Sequence, residues 1–219
     1  MATKKKITRE NIIDFYMDYV MENNAQPSSV YSFAKANKLE EAEFYKYFGS
    51  FEGIEKAIFQ AFFDNSMFVL QKSEDFKTFD ARNKLLSFYF TFFEILTANR
   101  SYVVFQLNGR KDKLKQLDIL SDLKHSFTSF VDSIDIETVD LKQKNIQKFQ
   151  NKTIKETAWI QLLITIKFWL DDTSASFEKT DMFIEKSVNT SFDLVNTKPL
   201  ESLIDLGKFL FKEKMNLKV

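Results

Sequence analysis

Residues 28–63 read SSVYSFAKANKLEEAEFYKYFGSFEGIEKAIFQAFF, and this stretch decides the fold. Pro27 lies directly before it, and Pro27-Ser28-Ser29 is a typical helix start. The apolar positions that follow share one helix face: Val30, Phe33 and Ala34. Asn37-Lys38 interrupts that spacing, and asparagine tolerates the left-handed backbone conformation that a tight turn needs. The pattern therefore predicts a helix over residues 29–36 that ends in a tight turn.

A second short helix is predicted over residues 40–47, because Leu39 and Phe44 are spaced to be buried together. Its polar side chains are expected to face solvent: Glu40, Glu41, Glu43 and Lys46. Gly49-Ser50 ends this helix. A long helix follows, and its apolar stripe runs through Ile54, Ile58, Ala61, Phe62 and either Phe68 or Val69. A helix, a tight turn and a short helix are the layout of a helix-turn-helix, whose second helix can enter a major groove.

The stretch resembles the N-terminal domain of TetR-type transcriptional regulators. The matching residues are Val30, Phe33-Ala34, Asn37-Lys38-Leu39 and Phe44-Tyr45-Lys46-Tyr47-Phe48-Gly49-Ser50. The resemblance implies an all-α, TetR-like fold, with a DNA-binding-like domain over residues 1–50 and a helical ligand-binding and dimerisation domain over residues 51–219. It also implies double-stranded DNA as a partner. The residues that would face the duplex or its phosphates are Lys4, Lys5, Lys6, Arg9, Ser29, Tyr45, Lys46 and Tyr47.

The charges of the same stretch oppose DNA binding. TetR-type proteins usually carry a lysine directly after the Gly-Ser pair, whereas this chain has Phe51 there. Residues 28–63 hold four lysines against five glutamates, a net charge of −1. Because DNA affinity arises mostly from the neutralisation of phosphates, the fold and the charge of this stretch point in different directions.

The composition of the whole chain favours an all-helical protein. It has 219 residues with only 4 Gly and 2 Pro, too few turn residues for a many-stranded sheet. The absence of Cys excludes disulfides, Cys-ligated zinc and thiol catalysis. The net charge is zero, so no overall field attracts nucleic acid or an anionic membrane. With neither a signal peptide nor a transmembrane segment in the sequence, we expect a cytoplasmic protein.

Nothing in the sequence predicts an enzyme, a cofactor or a metal site. We find no nucleophile motif, no glycine-rich phosphate loop and no cluster of metal ligands. The single histidine, His125, has no acidic partners at a telling spacing, and the adjacent acids Asp171 and Asp172 fit the end of a helix. An enzyme is therefore the least favoured class.

The 25 Phe residues have two possible origins, a genome rich in A and T or a large aromatic cavity. Residues 81–98 are apolar nearly all round, which is typical of a central helix. We expect this helix to border a pocket for an uncharged, elongated apolar molecule, such as a fatty acyl chain or an isoprenoid lipid. The predicted ligand contacts are Phe88, Tyr89, Phe92, Phe93, Tyr102, Gln106 and Phe127.

Further helices are predicted over residues 4–23 and 114–134, with a last one beginning at Pro199. Residues 101–107 form a short apolar element. Polar segments are expected to connect these helices: residues 72–80, 108–113 and 135–150, the last of which is either loop or frayed helix.

Residues 158–195 predict a hairpin of two amphipathic helices, joined at Asp171–Ser174, with Ser176 as the cap of the second helix. In TetR-like proteins such a hairpin meets its twofold mate, which implies a homodimer. The implied interface residues are Trp159, Leu163, Ile166, Phe177, Ile184 and Val188. The same apolar surface is equally consistent with core inside one chain.

The hairpin is also similar to the end of the TetR-like accessory proteins of mitochondrial ubiquinone biosynthesis, which bind isoprenoid lipid. The matching residues are Phe168-Trp169-Leu170, Asp172, Ser174, Thr180 and Phe183-Ile184. Two functions follow from the sequence. The leading one is a homodimeric transcriptional regulator with an apolar ligand pocket, and the alternative is a lipid-binding protein of the same fold that has lost specific DNA binding.

Overall fold

The computed structural model describes residues 7–108, 117–136 and 144–195, and all the regular structure in them is helical. The α-helices are α1 Arg9–Asn23, α2 Val30–Ala36, α3 Glu41–Tyr45, α4 Phe51–Gln71, α5 Glu74–Thr78, α6 Ala81–Ala98, α7 Arg100–Asn108, α8 Ser121–Ser133, α9 Lys144–Asp171 and α10 Glu178–Val195. The expected all-α class is confirmed. Among the described helices, none is both long and apolar enough to cross a membrane.

The described residues form two compact units. The first unit contains the chain up to Lys72 together with Thr91–Phe127, and the second contains Ser73–Phe90 together with the chain from Thr128 onward. Helices α6 and α8 each contribute residues to both units. The division predicted at residue 50 separates a DNA-binding-like domain from a ligand-binding and dimerisation domain, and it stays a prediction.

Serine and threonine caps set where the first helices begin. Thr8 accepts a hydrogen bond from the Asn11 backbone amide at 3.2 Å, so α1 begins at Arg9 rather than at residue 4. Ser29 does the same for the Ser32 amide at 3.1 Å, which confirms the predicted start of α2. A polar side chain at this position satisfies an amide that has no partner within its helix.

The turn after α2 has its left-handed residue one position later than the sequence suggested. Lys38 has φ of 56°, whereas Asn37 has φ of −95°. The Asn37 side chain is engaged elsewhere, because its Nδ2 donates to the Phe33 carbonyl oxygen at 2.9 Å. The Leu39 amide then donates to the Ala34 carbonyl at 2.8 Å, a closing bond typical of helix ends that have one left-handed residue.

An aromatic cluster holds the first four helices of the first unit together. Phe33 of α2 makes edge-to-face contacts with Phe44 of α3 and Phe51 of α4, and both ring-centroid distances are 5.9 Å. Tyr16 of α1 stacks on Phe51 at 5.4 Å. Offset and edge-to-face geometries are the favourable ones for aromatic pairs, so these rings fix how α1 to α4 pack.

The predicted stripe of α4 is right at its start and wrong at its end. Ile54, Ile58 and Phe62 are buried, but Phe68 and Val69 are 59% and 53% exposed, and the helix buries Ser66 and Leu70 in their place. A fixed stripe assumes that the same side of the helix is covered along its whole length. In α4 the covered side changes along the helix.

In the second unit, α9 and α10 form the predicted hairpin. Helix α9 begins at Lys144, inside the segment expected to be loop or frayed helix. Gln161 of α9 donates to Ser187 of α10 at 3.3 Å and accepts from Ser191 at 3.0 Å, which fixes the register of the two helices. Nearer the turn, the rings of Phe168 and Phe183 stack at 4.6 Å.

Other predicted boundaries differ or fall outside the described residues. Helix α8 begins at Ser121, and its predicted start at residue 114 lies outside the described part of the chain. The polar segment 72–80 contains the short helix α5. The last predicted helix, from Pro199, also lies outside the described residues.

The turn of the hairpin is organised by the carboxylate of Asp172. Its Oδ1 accepts hydrogen bonds from the Ser174 amide at 2.8 Å and the Ser174 hydroxyl at 2.7 Å. Its Oδ2 accepts from the Thr180 amide at 3.0 Å and the Thr180 hydroxyl at 2.7 Å. Asp172 therefore caps α10, and the expectation of a cap at Ser176 is wrong because Ser176 occupies a left-handed turn position with φ of 51°.

These bonds decide the charge of Asp172. Burial alone would raise the pKa of its carboxyl, but the hydrogen bonds from Ser174 and Thr180 outweigh burial and hold the pKa well below its usual range. Asp172 is therefore ionised at neutral pH, and its hydrogen bonds have the strength of bonds to a charged acceptor.

We predict that Asp172→Asn lowers the thermal unfolding midpoint at pH 7, because an amide NH₂ then faces donors of Ser174 or Thr180. A carboxyl with a depressed pKa stabilises the fold above its unfolded-state pKa and loses that effect as the pH falls through its folded-state pKa. The difference in midpoint between wild type and variant should therefore shrink at strongly acid pH. Asp171→Asn, at an exposed neighbour, is the control. Equal midpoints for both variants at pH 7 would refute the role of Asp172.

Candidate functional site

Five of the eight residues predicted to contact DNA lie in the described part of the chain. Lys4, Lys5 and Lys6 lie outside the described residues. Arg9 is exposed, with its guanidinium carbon 5.2 Å from the centre of the Phe48 ring. Ser29 has its hydroxyl engaged as the cap of α2, yet the residue remains on the surface.

The other three predicted contacts lie at the end of α3. Tyr45 is 54% exposed. The hydroxyl of Tyr47 donates to the Ile7 carbonyl oxygen at 2.9 Å, which ties the segment before α1 to the end of α3. Lys46 is exposed, but its ammonium lies 2.6 Å from a carboxylate oxygen of Glu43. Lys46 is the one lysine in residues 40–50, and it therefore has an anionic partner within the chain.

Phe51 explains why a lysine is missing at its position. Its half-buried ring contacts Tyr16, Phe33 and Phe44, so the side chain at this position packs on the aromatic cluster. Glu40 and Glu41, close to Tyr45 in the sequence, are exposed. The helix-turn-helix geometry is present, but its surface carries more acid than a phosphate-binding surface needs.

The residues predicted to bind a ligand are all buried. Two of them, Phe88 and Tyr89, belong to the second unit. There Phe88 packs on Phe130 at 5.1 Å, and Thr165 of α9 lies near the buried Tyr89 hydroxyl. Burial raises the pKa of Tyr89 strongly, against the smaller lowering effect of Thr165, so this phenol stays neutral.

The remaining predicted ligand contacts belong to the first unit: Phe92, Phe93, Tyr102, Gln106 and Phe127. The Gln106 side-chain amide donates to the Tyr102 hydroxyl at 3.0 Å and to Glu55 at 3.3 Å. Both polar groups proposed for a ligand are thus engaged within the protein. The apolar rings of this set remain candidates for contact with a bound molecule.

The hairpin presents a different apolar surface from the one predicted. Four of the predicted interface residues are covered within the chain itself: Trp159, Ile166, Ile184 and Val188. Leu163 and Phe177 are half-buried. The apolar side chains that reach solvent are instead Ile160, Ile164 and Phe168 on α9 and Met182 and Leu194 on α10, each between 36% and 57% exposed. The three residues of α9 recur every fourth position, so they form one exposed stripe.

A family model described as tetracyclin repressor-like, C-terminal domain, matches residues 84–210, which is more than half of the chain. The chain belongs to this TetR family. The match runs from α6 through the α9–α10 hairpin, whereas the sequence resemblance lies in residues 28–63, so two separate regions agree on the family. No curated protein matches the chain significantly. The likeness of the hairpin to the ubiquinone-biosynthesis accessory proteins stays a prediction.

One notable residue of this TetR-family chain escaped the sequence reasoning. Glu55 of α4, which the sequence identified only as one of the five glutamates in residues 28–63, has no solvent exposure. Its Oε1 accepts hydrogen bonds from Tyr16 Oη at 2.7 Å, from Gln26 Nε2 and from Gln106 Nε2. A signal was present, because Glu55 lies four residues from Phe51 and from Phe59 and so shares their helix face. Within the described residues, no group of His, Cys, Asp and Glu could hold a metal ion.

Proposed function

We propose that this TetR-family chain is a homodimeric transcriptional regulator that binds double-stranded DNA and responds to an apolar ligand. The observation that carries the proposal is the helix-turn-helix formed by α2, the left-handed turn at Lys38 and α3, with Tyr45 exposed at its end. In such a domain the second helix lies in the major groove, and two half-sites are spaced by one helical turn of DNA.

A second function has its own support. In a lipid-binding protein of the same fold, no selection for phosphate contact would act on α3. The pairing of Lys46 with Glu43 and the packing of Phe51 against the aromatic cluster fit that alternative. The two proposals differ in whether the chain distinguishes its own operator from other DNA.

The homodimer is proposed to form through the exposed stripe of the hairpin. Ile160, Ile164 and Phe168 offer apolar area that a second copy would remove from water. The stripe is flanked by the ion pair between Lys167 and Asp171, which supplies the polar rim typical of interfaces. The buried residues Ile184 and Val188 support the hairpin from behind and need not contact the partner chain.

The ligand is proposed to be an uncharged apolar chain. The buried rings on α6 provide apolar contact, and the phenol of Tyr89 is neutral. Apolar pockets with few polar groups favour such molecules over anionic ones.

We predict that Glu43→Gln strengthens non-specific DNA binding, because it removes a carboxylate and releases Lys46 to contact a phosphate. Each added phosphate contact steepens the slope of log affinity against log salt by about 0.9. Fluorescence anisotropy with the upstream DNA of the gene and with a scrambled duplex measures this change. The matched control is Glu185→Gln, at an exposed glutamate of α10.

The same titration separates the two proposed functions. Saturable binding of the wild type to upstream DNA, at least about tenfold tighter than to the scrambled duplex, fits a regulator, since specific binding normally exceeds non-specific binding by far more than that. Equal and weak binding to both duplexes would reject the regulator and favour the lipid-binding protein.

We predict that Ile164→Glu yields a folded monomer, because the variant places a charge in an apolar interface without a partner. Ile184→Glu should instead unfold the protein, since Ile184 is fully buried within the chain. Light scattering and circular dichroism measure mass and folding. Asn65→Glu, at an exposed position of α4, adds the same charge elsewhere and should stay dimeric. A wild-type protein that is monomeric at micromolar concentration would contradict the dimer.

We predict that organic extraction of the purified protein releases an apolar molecule that mass spectrometry identifies. Phe92→Trp should lower its occupancy, because the larger ring fills space beside a buried position of α6. Phe90→Trp, at a 40% exposed position of the same helix, should leave the occupancy unchanged. If wild type and both variants release nothing, the buried rings of α6 are core alone.

A further inference from the structure

One oxygen atom joins three separate segments of the first unit. Glu55 Oε1, on α4, accepts from Tyr16 on α1, from Gln26 in the connection between α1 and α2, and from Gln106 on α7. These donors lie 39, 29 and 51 positions from Glu55 in the chain. Backbone contacts agree with this arrangement, since α1 packs against both α4 and α7. We define Tyr16, Gln26, Glu55 and Gln106 as the Glu55 network.

The Glu55 network requires several hydrogen-bond donors because its centre is a buried carboxylate. A buried charge is tolerated only when hydrogen bonds replace the water that it has lost. In a buried network each bond also strengthens its neighbours, so the loss of one member affects the others. Each helix of the network is therefore sensitive to the position of the others.

The bond from α7 to Glu55 is longer than the bond from α1. Gln106 Nε2 lies 3.3 Å from Oε1, whereas Tyr16 Oη lies 2.7 Å from it. The same Gln106 nitrogen donates to Tyr102 at 3.0 Å, so α7 holds this amide from its own side as well. Hydrogen bonds weaken quickly beyond such distances, so a small shift of α7 would break the bond to Glu55 first.

We propose that Glu55 is a positioning residue that couples α7 to the helix-turn-helix. When α7 shifts and Gln106 leaves the carboxylate, the remaining donors satisfy the buried charge less well. The first unit then opens more easily around α1 and the connection that leads to α2. Loosening this connection changes how α2 and α3 are held, and with it the affinity for DNA. The link to DNA rests on the proposed function, whereas the coupling between α7 and α1 does not.

Hydrogen exchange measured by mass spectrometry on the full-length chain tests the coupling without DNA. Gln106→Leu should speed exchange of the amides of α1 and of residues 24–29 about fivefold, the effect of one lost net hydrogen bond on a local opening equilibrium. Because coupling is reciprocal, Tyr16→Phe should speed exchange in α7. Gln106→Met is the second variant if Gln106→Leu does not fold.

A matched control removes a different hydrogen bond to α4. Ser126 Oγ on α8 donates to Gln60 Oε1 at 2.9 Å, outside the Glu55 network. Ser126→Ala should leave exchange in α1 unchanged. The decisive background is Glu55→Met, which removes the acceptor oxygen. In that background Gln106→Leu should no longer alter α1, because the coupling passes through that oxygen.

The outcomes separate this proposal from the proposed function. Faster exchange in α1 that is lost in the Glu55→Met background supports the coupling whether or not the wild type binds DNA. If the wild type binds its upstream DNA, Gln106→Leu should also weaken that binding about fivefold, by the same loss of one net bond. Unchanged exchange in α1, or an equal change in the Glu55→Met background, overturns the proposal, because direct packing of α7 on α1 would then account for the data.

Discussion

The first unit depends on a charge that has been taken out of water. Glu55 lies with no solvent exposure in a helix face that also carries Phe51 and Phe59. A carboxylate in that setting is stable only while donors surround it, and the donors come from α1, from the connection before α2 and from α7. These segments are held in place by their hydrogen bonds to Glu55 as well as by the aromatic cluster around Phe33.

The second unit also has a carboxylate that accepts several hydrogen bonds, but these bonds come from residues close to it in the chain. Asp172 accepts four hydrogen bonds, and all of them come from two residues within eight positions in the chain. Asp172 sets a local turn and caps α10, whereas Glu55 joins distant segments. The two carboxylates differ in the sequence separation of their donors. Donors close in the chain order a turn, whereas donors far apart in the chain order the packing of helices.

The helix-turn-helix shows why family and function are separate questions. The aromatic cluster and the caps of α1, α2 and α4 give this TetR-family chain the geometry of a DNA-binding domain. The surface charge of α3 is a different property, and here Glu43 neutralises Lys46 while Phe51 packs on the aromatic cluster. Packing of the domain does not require a basic surface, so the fold can persist with either function.

Local rules in the sequence determined the helical class, the cap at Ser29, the bounds of α6 and the pairing of two helices over residues 158–195. Periodicity and capping depend on neighbours within four residues, which is why the sequence alone predicts them. Only the tertiary structure decided that Glu55 is buried, that Phe51 packs on the aromatic cluster and that Ile184 is covered while Ile164 is exposed. Periodicity identifies the apolar face of a helix, but which part of that face is covered depends on segments far away in the chain.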